Sequence, residues 1–421
     1  MFDLDHWQEI GAALGKNRLR TFLTAFGVFW GIFLLVVLLG SGNGLSNGVM
    51  QGFSGTATNS LFVWGMRTSK PYAGLDAGRS IDFTDEDTAE LARRIPEAEV
   101  IAPRLQLGGW RGGATVRRGR EASAFTIMGD HPAIFRIQSM ALEQGRLLNR
   151  LDLDEKRKVA VIGTRVVEEM FAKGEEPIDD AIEINGVWFK VVGVFRSRQT
   201  GDQGDRDAQT IYVPFTTFQQ AFNAGNEVHW FAITARPEVG ASVVEEKVLA
   251  ILRERHKVAP DDRRGIGFFN LEKEFNQVRG LFNGIHILMW IVGIGTLSAG
   301  AIGVSNIMLI VVRERTQEIG LRRAIGATPS KVMTQIVVEA VILTAGAGLL
   351  GLSAGVGVME LVAGALARSG GGEQSMFVNP GVSFANALQA LAILVAAGTV
   401  AGLIPAQRAV VVSPVVALRS E

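Results

Sequence analysis

The chain of 421 residues contains no cysteine. No disulfide braces it, and a domain of more than about 200 residues held in an oxidising compartment is large enough to fold without one. Net charge is missing too, since 42 Lys and Arg balance 42 Asp and Glu; no global field draws the chain to nucleic acid or to an acidic substrate. The five histidines, His6, His131, His229, His256 and His286, fall without H-E-x-x-H or paired spacing, which argues against a metal site. No G-x-x-x-x-G-K-[ST] phosphate loop occurs, and "GAALGKN" at 11–17 has the wrong spacing and the wrong last residue. Such a chain is expected to hold no cofactor and to hydrolyse no ATP by itself.

Charge is also absent locally, and that absence is the most informative. Thr21 to Met66, Gly280 to Val312 and Gln374 to Gln407 hold no Asp, Glu, Lys or Arg, and Glu339 and Glu360 bracket a fourth such block. A bilayer span needs roughly 20 apolar residues. The pattern predicts four transmembrane helices at about 22–42, 285–311, 338–360 and 385–404, with a large domain between the first and second. The first is no cleaved signal peptide: Phe22 to Leu39 exceeds the usual apolar core of such peptides and lacks an A-x-A-like site. The surplus length of the first two stretches reads as helical stalks, with Gly40, Gly42, Gly44 and Gly48 allowing close approach or bending. Orientation follows from the short loops. Lys16, Arg18, Arg20, Arg313, Arg315, Arg322, Arg323, Lys331, Arg408 and Arg419 oppose Arg368 alone, so both termini are expected in the cytoplasm and residues 45–280 outside. Trp7, Ile10 and Leu14 in the first 20 residues suit a helix lying on the inner membrane surface.

The large intervening region reads as α/β. Leu61 to Trp64, Val159 to Ile162, Ala181 to Ile184, Val187 to Phe195 and Thr210 to Val213 have strand character, and Asn185-Gly186 signals a tight hairpin. Thr84 suits an N-cap for a helix over 85–95, Val243, Val244, Val248, Ile251 and Leu252 mark another helix, and "SRQTGDQGDRDA" at 197–208 reads as a mobile polar loop. Two subdomains are expected. Gly346-x-Gly348-x-x-Gly351 and Gly351-x-Ser353-x-Gly355 imitate a dinucleotide fingerprint and a nucleophile elbow, but both lie inside a predicted span. With Gly357 they read instead as a smooth helix face for close packing. Glu339 and Glu360 fall at span ends, where headgroups and water solvate them. With no charge left at mid-membrane, a substrate route through these helices is not expected.

Between the second and third spans stands "RERTQEIGLRRAIGAT", Arg313 to Thr328. Glu318 and Arg322 form an i, i+4 pair in the favourable order, Gly320 and Gly326 permit bends, and Thr328-Pro329 suits an N-cap and first turn. A plain positive-inside signal is the simpler reading. The richer one is an ordered charged elbow on which a cytoplasmic partner docks.

The stretch "RERTQEIGLRRAIGATPSKV" and the tail "GLIPAQRAVVVSPVVALRSE" resemble the two signature regions of the FtsX-like permeases, and "NRLRTFLTAFGVFWGI" with "KVAVIGTRVVEEMF" and "VWFKVVGVF" is similar to the MacB subgroup, the macrolide-exporter type. The resemblance implies a four-helix permease of the bacterial cytoplasmic membrane, working as a homodimer or heterodimer driven by a cytoplasmic ABC ATPase that holds the ATP and Mg, with a membrane-fusion adaptor as a further partner. It divides the chain into an interfacial helix (1–20), a first span (21–44), a MacB-like core with stalk (45–280) and an FtsX-like permease domain (281–421). It places ATPase coupling on Glu314, Arg315, Glu318, Ile319, Gly320, Arg322, Arg323, Ala324, Gly326 and Ala327. MacB-type exporters carry their ATPase at the N-terminus of the same chain, so a separate ATPase subunit is expected here. Lipoprotein release of the Lol kind, and regulation of an outer enzyme as by FtsX, are the alternatives. The resemblance assigns no substrate residue.

Overall fold

The computed structural model describes residues 18–108, 113–138, 140–199, 201–368 and 377–411. Almost all of the expected interfacial helix, and the chain after Val411, lie outside these. Two compact units are present: Met50–Gly280, and the pairing of Met1–Val49 with Leu281–Glu421.

The first of these, the α/β unit, is built on an eleven-stranded sheet. The five expected strands are present as β1 (Ser60–Gly65), β7 (Val159–Gly163), β8 (Ala181–Ile184), β9 (Val187–Ser197) and β10 (Thr210–Pro214). Both residues of the β8–β9 turn, Asn185 and Gly186, have positive φ (46° and 85°), the geometry a two-residue hairpin needs to match strand twist. The sequence reading missed β3 (Ala98–Leu107), β4 (Ala114–Arg118), β5 (Glu121–Asp130), β6 (Met140–Gly145), β12 (Trp230–Ala235) and β13 (Ile266–Asn270) of this sheet, and the separate short pair β2 (Phe83–Thr84) and β11 (Glu227–Val228); β6 pairs with β9. Pairings run β5–β4–β8–β9–β7–β10 and return from β10 to β5, while β3, β12, β1 and β13 continue from β5 in that order. The strands thus form one hydrogen-bonded sheet that branches at β5, within a single compact unit. One core cluster, with Phe83, Phe125, Phe189, Phe218 and Phe231 fully buried, serves both branches.

Two helices confirm their local signals. Asp85–Arg94 starts at Thr84, whose backbone N–H donates to Asp87 in a capping box (2.8 Å), and Ala241–Arg255 buries Val244, Val248, Ile251 and Leu252. The mobile loop expected at 197–208 is corrected: Gly201–Ala208 is a helix. Its polar composition hid it, because Ser197 donates to Asp207 (3.1 Å) and Ala208 is buried, anchors set by the fold and not by periodicity.

Among the described residues four helices, Arg18–Gln51, Leu271–Glu314, Pro329–Arg368 and Phe384–Val411, contain segments long and apolar enough to cross a membrane. All four exceed the roughly 20 residues a span requires. The first is continuous, so Gly40, Gly42 and Gly44 provide close approach and no bend: a Cβ on each would fall within 3 Å of Met359, Met289 or Pro380. Of the expected glycine face, Gly348, Gly351 and Gly355 are in tight contact, and a Cβ on Gly351 would lie 2.4 Å from the Phe29 carbonyl oxygen. Gly346 and Gly357 face open space and Ser353 is exposed. Their i, i+3, i+7 spacing selects the buried three, since those positions share one face of a helix.

Candidate functional site

The charged elbow is a nine-residue helix, Thr316–Ala324, set between the long helices that end at Glu314 and begin at Pro329. Arg315 leaves helical geometry (φ −102°, ψ 13°), and the Thr316 hydroxyl donates to the Arg313 carbonyl (2.8 Å), covering one of the acceptors exposed where the ladder breaks.

The far end closes as a Schellman turn. Gly326 has φ 105°; its N–H donates to the Arg323 carbonyl (3.1 Å) and the Ala327 N–H to the Arg322 carbonyl (3.0 Å). Those two bonds define the motif, and glycine at its left-handed position avoids the clash any Cβ would bring. Pro329 opens the next helix at the position where its missing N–H costs nothing. Gly320, expected as a second bend, is instead buried within the helix.

Side chains fix the elbow to the bundle. Arg322 donates to Glu318 (2.9 Å) and to Gln335 (3.0 Å). Gln335 donates to Glu339 (3.4 Å), which lies 3.5 Å from the Arg315 guanidinium. Glu339 was expected to be solvated by headgroups; its side chain is only 11% exposed and its charge is met by Arg315. Arg323 reaches the last helix and donates to the Val410 carbonyl (2.6 Å), satisfying an acceptor near a helix C-terminus, where a cation is also favoured. Ile319 packs against the core of the bundle.

The residues expected to couple thus divide in two. Arg315, Ile319, Gly320, Arg322 and Arg323 hold the elbow in place, with Glu318 half-exposed but committed to Arg322. Glu314, Ala324 and Gly326 are exposed, and Ala327 is half-buried. Sequence reasoning missed Leu321 and Ile325, which are 51% and 78% exposed. Their i, i+4 spacing puts them on one edge of the elbow, and an apolar pair between charged neighbours was the signal available. The elbow presents a fixed apolar edge flanked by charge.

Residues 21–251 match the MacB-like periplasmic core domain and residues 290–414 the FtsX-like permease C-terminal domain. The chain is 31% identical over 425 residues to the pyoverdine export ATP-binding/permease protein PvdT of Pseudomonas putida, covering 99% of this chain and 60% of that one. It is 27% identical over 406 residues to the macrolide export ATP-binding/permease protein MacB of Vibrio parahaemolyticus, covering 96% and 58%. The chain thus spans about three-fifths of the length of these curated relatives. Among solved structures, the periplasmic region of MacB from Actinobacillus actinomycetemcomitans aligns at 18% identity and a TM-score of 0.43, covering 55% of this chain and 97% of that one. The core-domain match alone takes in more than half of the residues, and the chain is a multi-pass membrane protein of the MacB-type, FtsX-like permease family.

Proposed function

We propose that the chain is the membrane-spanning permease of an ATP-driven exporter and that the elbow is where a cytoplasmic ABC ATPase docks. Both termini and the elbow face the cytoplasm in this reading, and the α/β unit lies on the far side of the membrane. ATP and Mg are held by the ATPase, because the 421 residues contain no phosphate-binding loop. A second permease, the same chain or a different one, completes the assembly, and a membrane-fusion adaptor extends it outward.

The observation that carries the proposal is the fixed apolar edge of Leu321 and Ile325. An exposed apolar pair on a short helix costs free energy in water, and here the helix is braced so that the pair stays presented. Docked there, a partner that shifts on ATP hydrolysis pushes on an element tied by Arg322 and Gln335 to the third span and by Arg323 to the fourth. Movement then passes along stiff helices and requires no polar channel through them. The names of the relatives favour export, and nothing in the site speaks separately for lipoprotein release or for regulation of an outer enzyme.

Two measurements test this. A Thr316→Cys chain, otherwise free of thiols, should react with an impermeant maleimide only after lysis; labelling in intact spheroplasts reverses the orientation. Ile325→Glu should insert normally yet lose the co-purifying ABC ATPase, and full retention of the ATPase would place docking elsewhere.

A further inference from the structure

Strand β1 is apolar on both faces, which a sheet with one solvated face does not require. Leu61 and Val63 enter the main core of the α/β unit, whereas Phe62 and Trp64 point the other way. They line a cavity of about 830 Å³, and Phe62 also packs against a small core of Val100, Ala102, Ile134, Ile137 and Ala232. Register places Trp64 opposite Trp230, and Trp230 opposite Arg104, on three adjacent strands; Phe62 stands opposite Phe269 on β13. The sheet therefore lays two cross-strand rows of large side chains along one wall. Gly267 makes room for the first row: a Cβ there would lie 2.3 Å from the Trp64 indole nitrogen.

Besides Thr56, the polar side chains on the wall are Arg104, Gln138, Gln199, Gln203 and His229; Gln203 donates to Asp207 (3.1 Å) and His229 Nδ1 accepts from the Gln106 N–H (3.0 Å). Arg104 is buried and donates through Nε and Nη2 to both carboxylate oxygens of Asp130 (2.7 and 2.9 Å), with its guanidinium 5.6 Å from the Trp230 ring centre. Its charge is thereby matched inside the wall. Gln138 accepts from the Tyr212 hydroxyl (3.4 Å), and Gln199 donates to Thr56 (3.0 Å). Among the described residues no carboxylate lines the cavity. The volume suits a drug-sized molecule, and aromatic walls with a few fixed amides are the usual lining of such a site.

We propose that this cavity binds a neutral, ring-bearing amphiphile, its rings lying on the Trp64, Trp230 and Phe269 wall and its polar edge meeting Gln138 and Gln199. An anion finds no unmatched charge on this arginine, because Asp130 neutralises Arg104 along its Nε–Nη2 edge. A cation finds no carboxylate. The binding claim goes beyond the proposed ATPase coupling, and its test uses no ATP.

The probe is N-phenyl-1-naphthylamine, titrated into the full chain in nanodiscs with empty nanodiscs subtracted and read by energy transfer from tryptophan. Saturable binding is expected. Thr56→Trp, which fills the cavity, and Trp230→Ala, which removes its wall, should each weaken binding by about tenfold or more, and the anionic 1-anilinonaphthalene-8-sulfonate should compete about tenfold more weakly than the neutral probe. Gln199→Trp repeats the filling test if Trp230→Ala does not fold. Non-saturable uptake, equal affinity in the folded filling variants, or equally tight binding of the sulfonate overturns the proposal. So does absence of binding because a second copy of the chain covers the opening.

Discussion

The α/β unit and the helical unit solve the same packing problem with opposite materials. In the α/β unit, position is set by paired charges and strand register: Arg104 is locked to Asp130 inside the sheet, and Arg255 and His256 converge on buried Asp87 (2.5 and 2.9 Å). In the helical unit, position is set by missing side chains. Gly351 meets the Phe29 backbone, and a Cβ on Gly398 would lie 2.2 Å from the Thr344 hydroxyl. Water gives the first unit a hydrophobic drive, so polar pairs add specificity to a core already stable. Lipid gives no such drive between helices, and close backbone approach takes its place. The elbow belongs to the second unit yet uses the methods of the first, with a charge network and a hydrogen-bonded cap. A segment at the end of spans that must hold a fixed shape in water needs both.

The comparison breaks most visibly if one partner of a buried charge pair is removed. Asp130→Ala leaves the Arg104 guanidinium buried and unmatched, and the expected loss is about 3–5 kcal/mol, read as a lower thermal midpoint of the purified chain. Gly351→Val should cost about 3 kcal/mol, since the obstacle is backbone that cannot turn aside, whereas Gly346→Val, facing open space, should stay close to wild type. Equal effects from the two glycines would dissolve the contrast with the α/β unit.

Acid sharpens it further. Burial alone would raise the Asp87 carboxyl, but hydrogen bonds from His256, Arg255 and the Thr84 N–H outweigh this and hold it at about 2. A folded value below the unfolded one stabilises above the unfolded value, near 3.8, and that stabilisation is lost as pH falls toward about 2. Asp87 should therefore contribute about 2 kcal/mol at neutral pH, and Asp87→Asn should flatten the acid limb of the stability profile of the whole chain. Smaller still is Gly326→Ala. Nothing lies within 4 Å of the added carbon, so only the left-handed backbone resists it, at about 1–2 kcal/mol; a larger loss would mean that the turn is packed as well as bent.

How much of this could be read in the sequence follows from the same physics. The spans were legible because charge-free runs of that length have few other homes. β7 and β10 were legible because every residue in them is buried, which leaves a continuous apolar run. β4, "ATVRR", alternates buried Ala114 and Val116 with exposed Thr115 and Arg117, and β5 opens on four small or charged residues, Glu121 to Ala124, none of them buried, so neither offers such a run throughout. In the elbow, the helix and the Gly326 turn are local and were readable. The bond from Arg323 to Val410 joins residues 87 apart in the chain, and which face of the helix is covered depends on that bond. For this reason the sequence alone does not single out Leu321 and Ile325, and it makes Gly320 look like a bend.

The most direct test of the central claim, that the elbow transmits ATP hydrolysis, is the ATPase rate of the chain reconstituted in proteoliposomes with its ABC ATPase, comparing wild type with Glu318→Arg and Gly326→Val. Glu318→Arg turns the partner of Arg322 into a like charge, and Gly326→Val strains the Schellman turn. Both variants are predicted to insert normally and to drop hydrolysis to the rate of the ATPase alone, with Glu318→Arg also releasing part of the bound ATPase. Wild-type hydrolysis with the ATPase fully bound in both would contradict the account and leave the elbow a topology signal only.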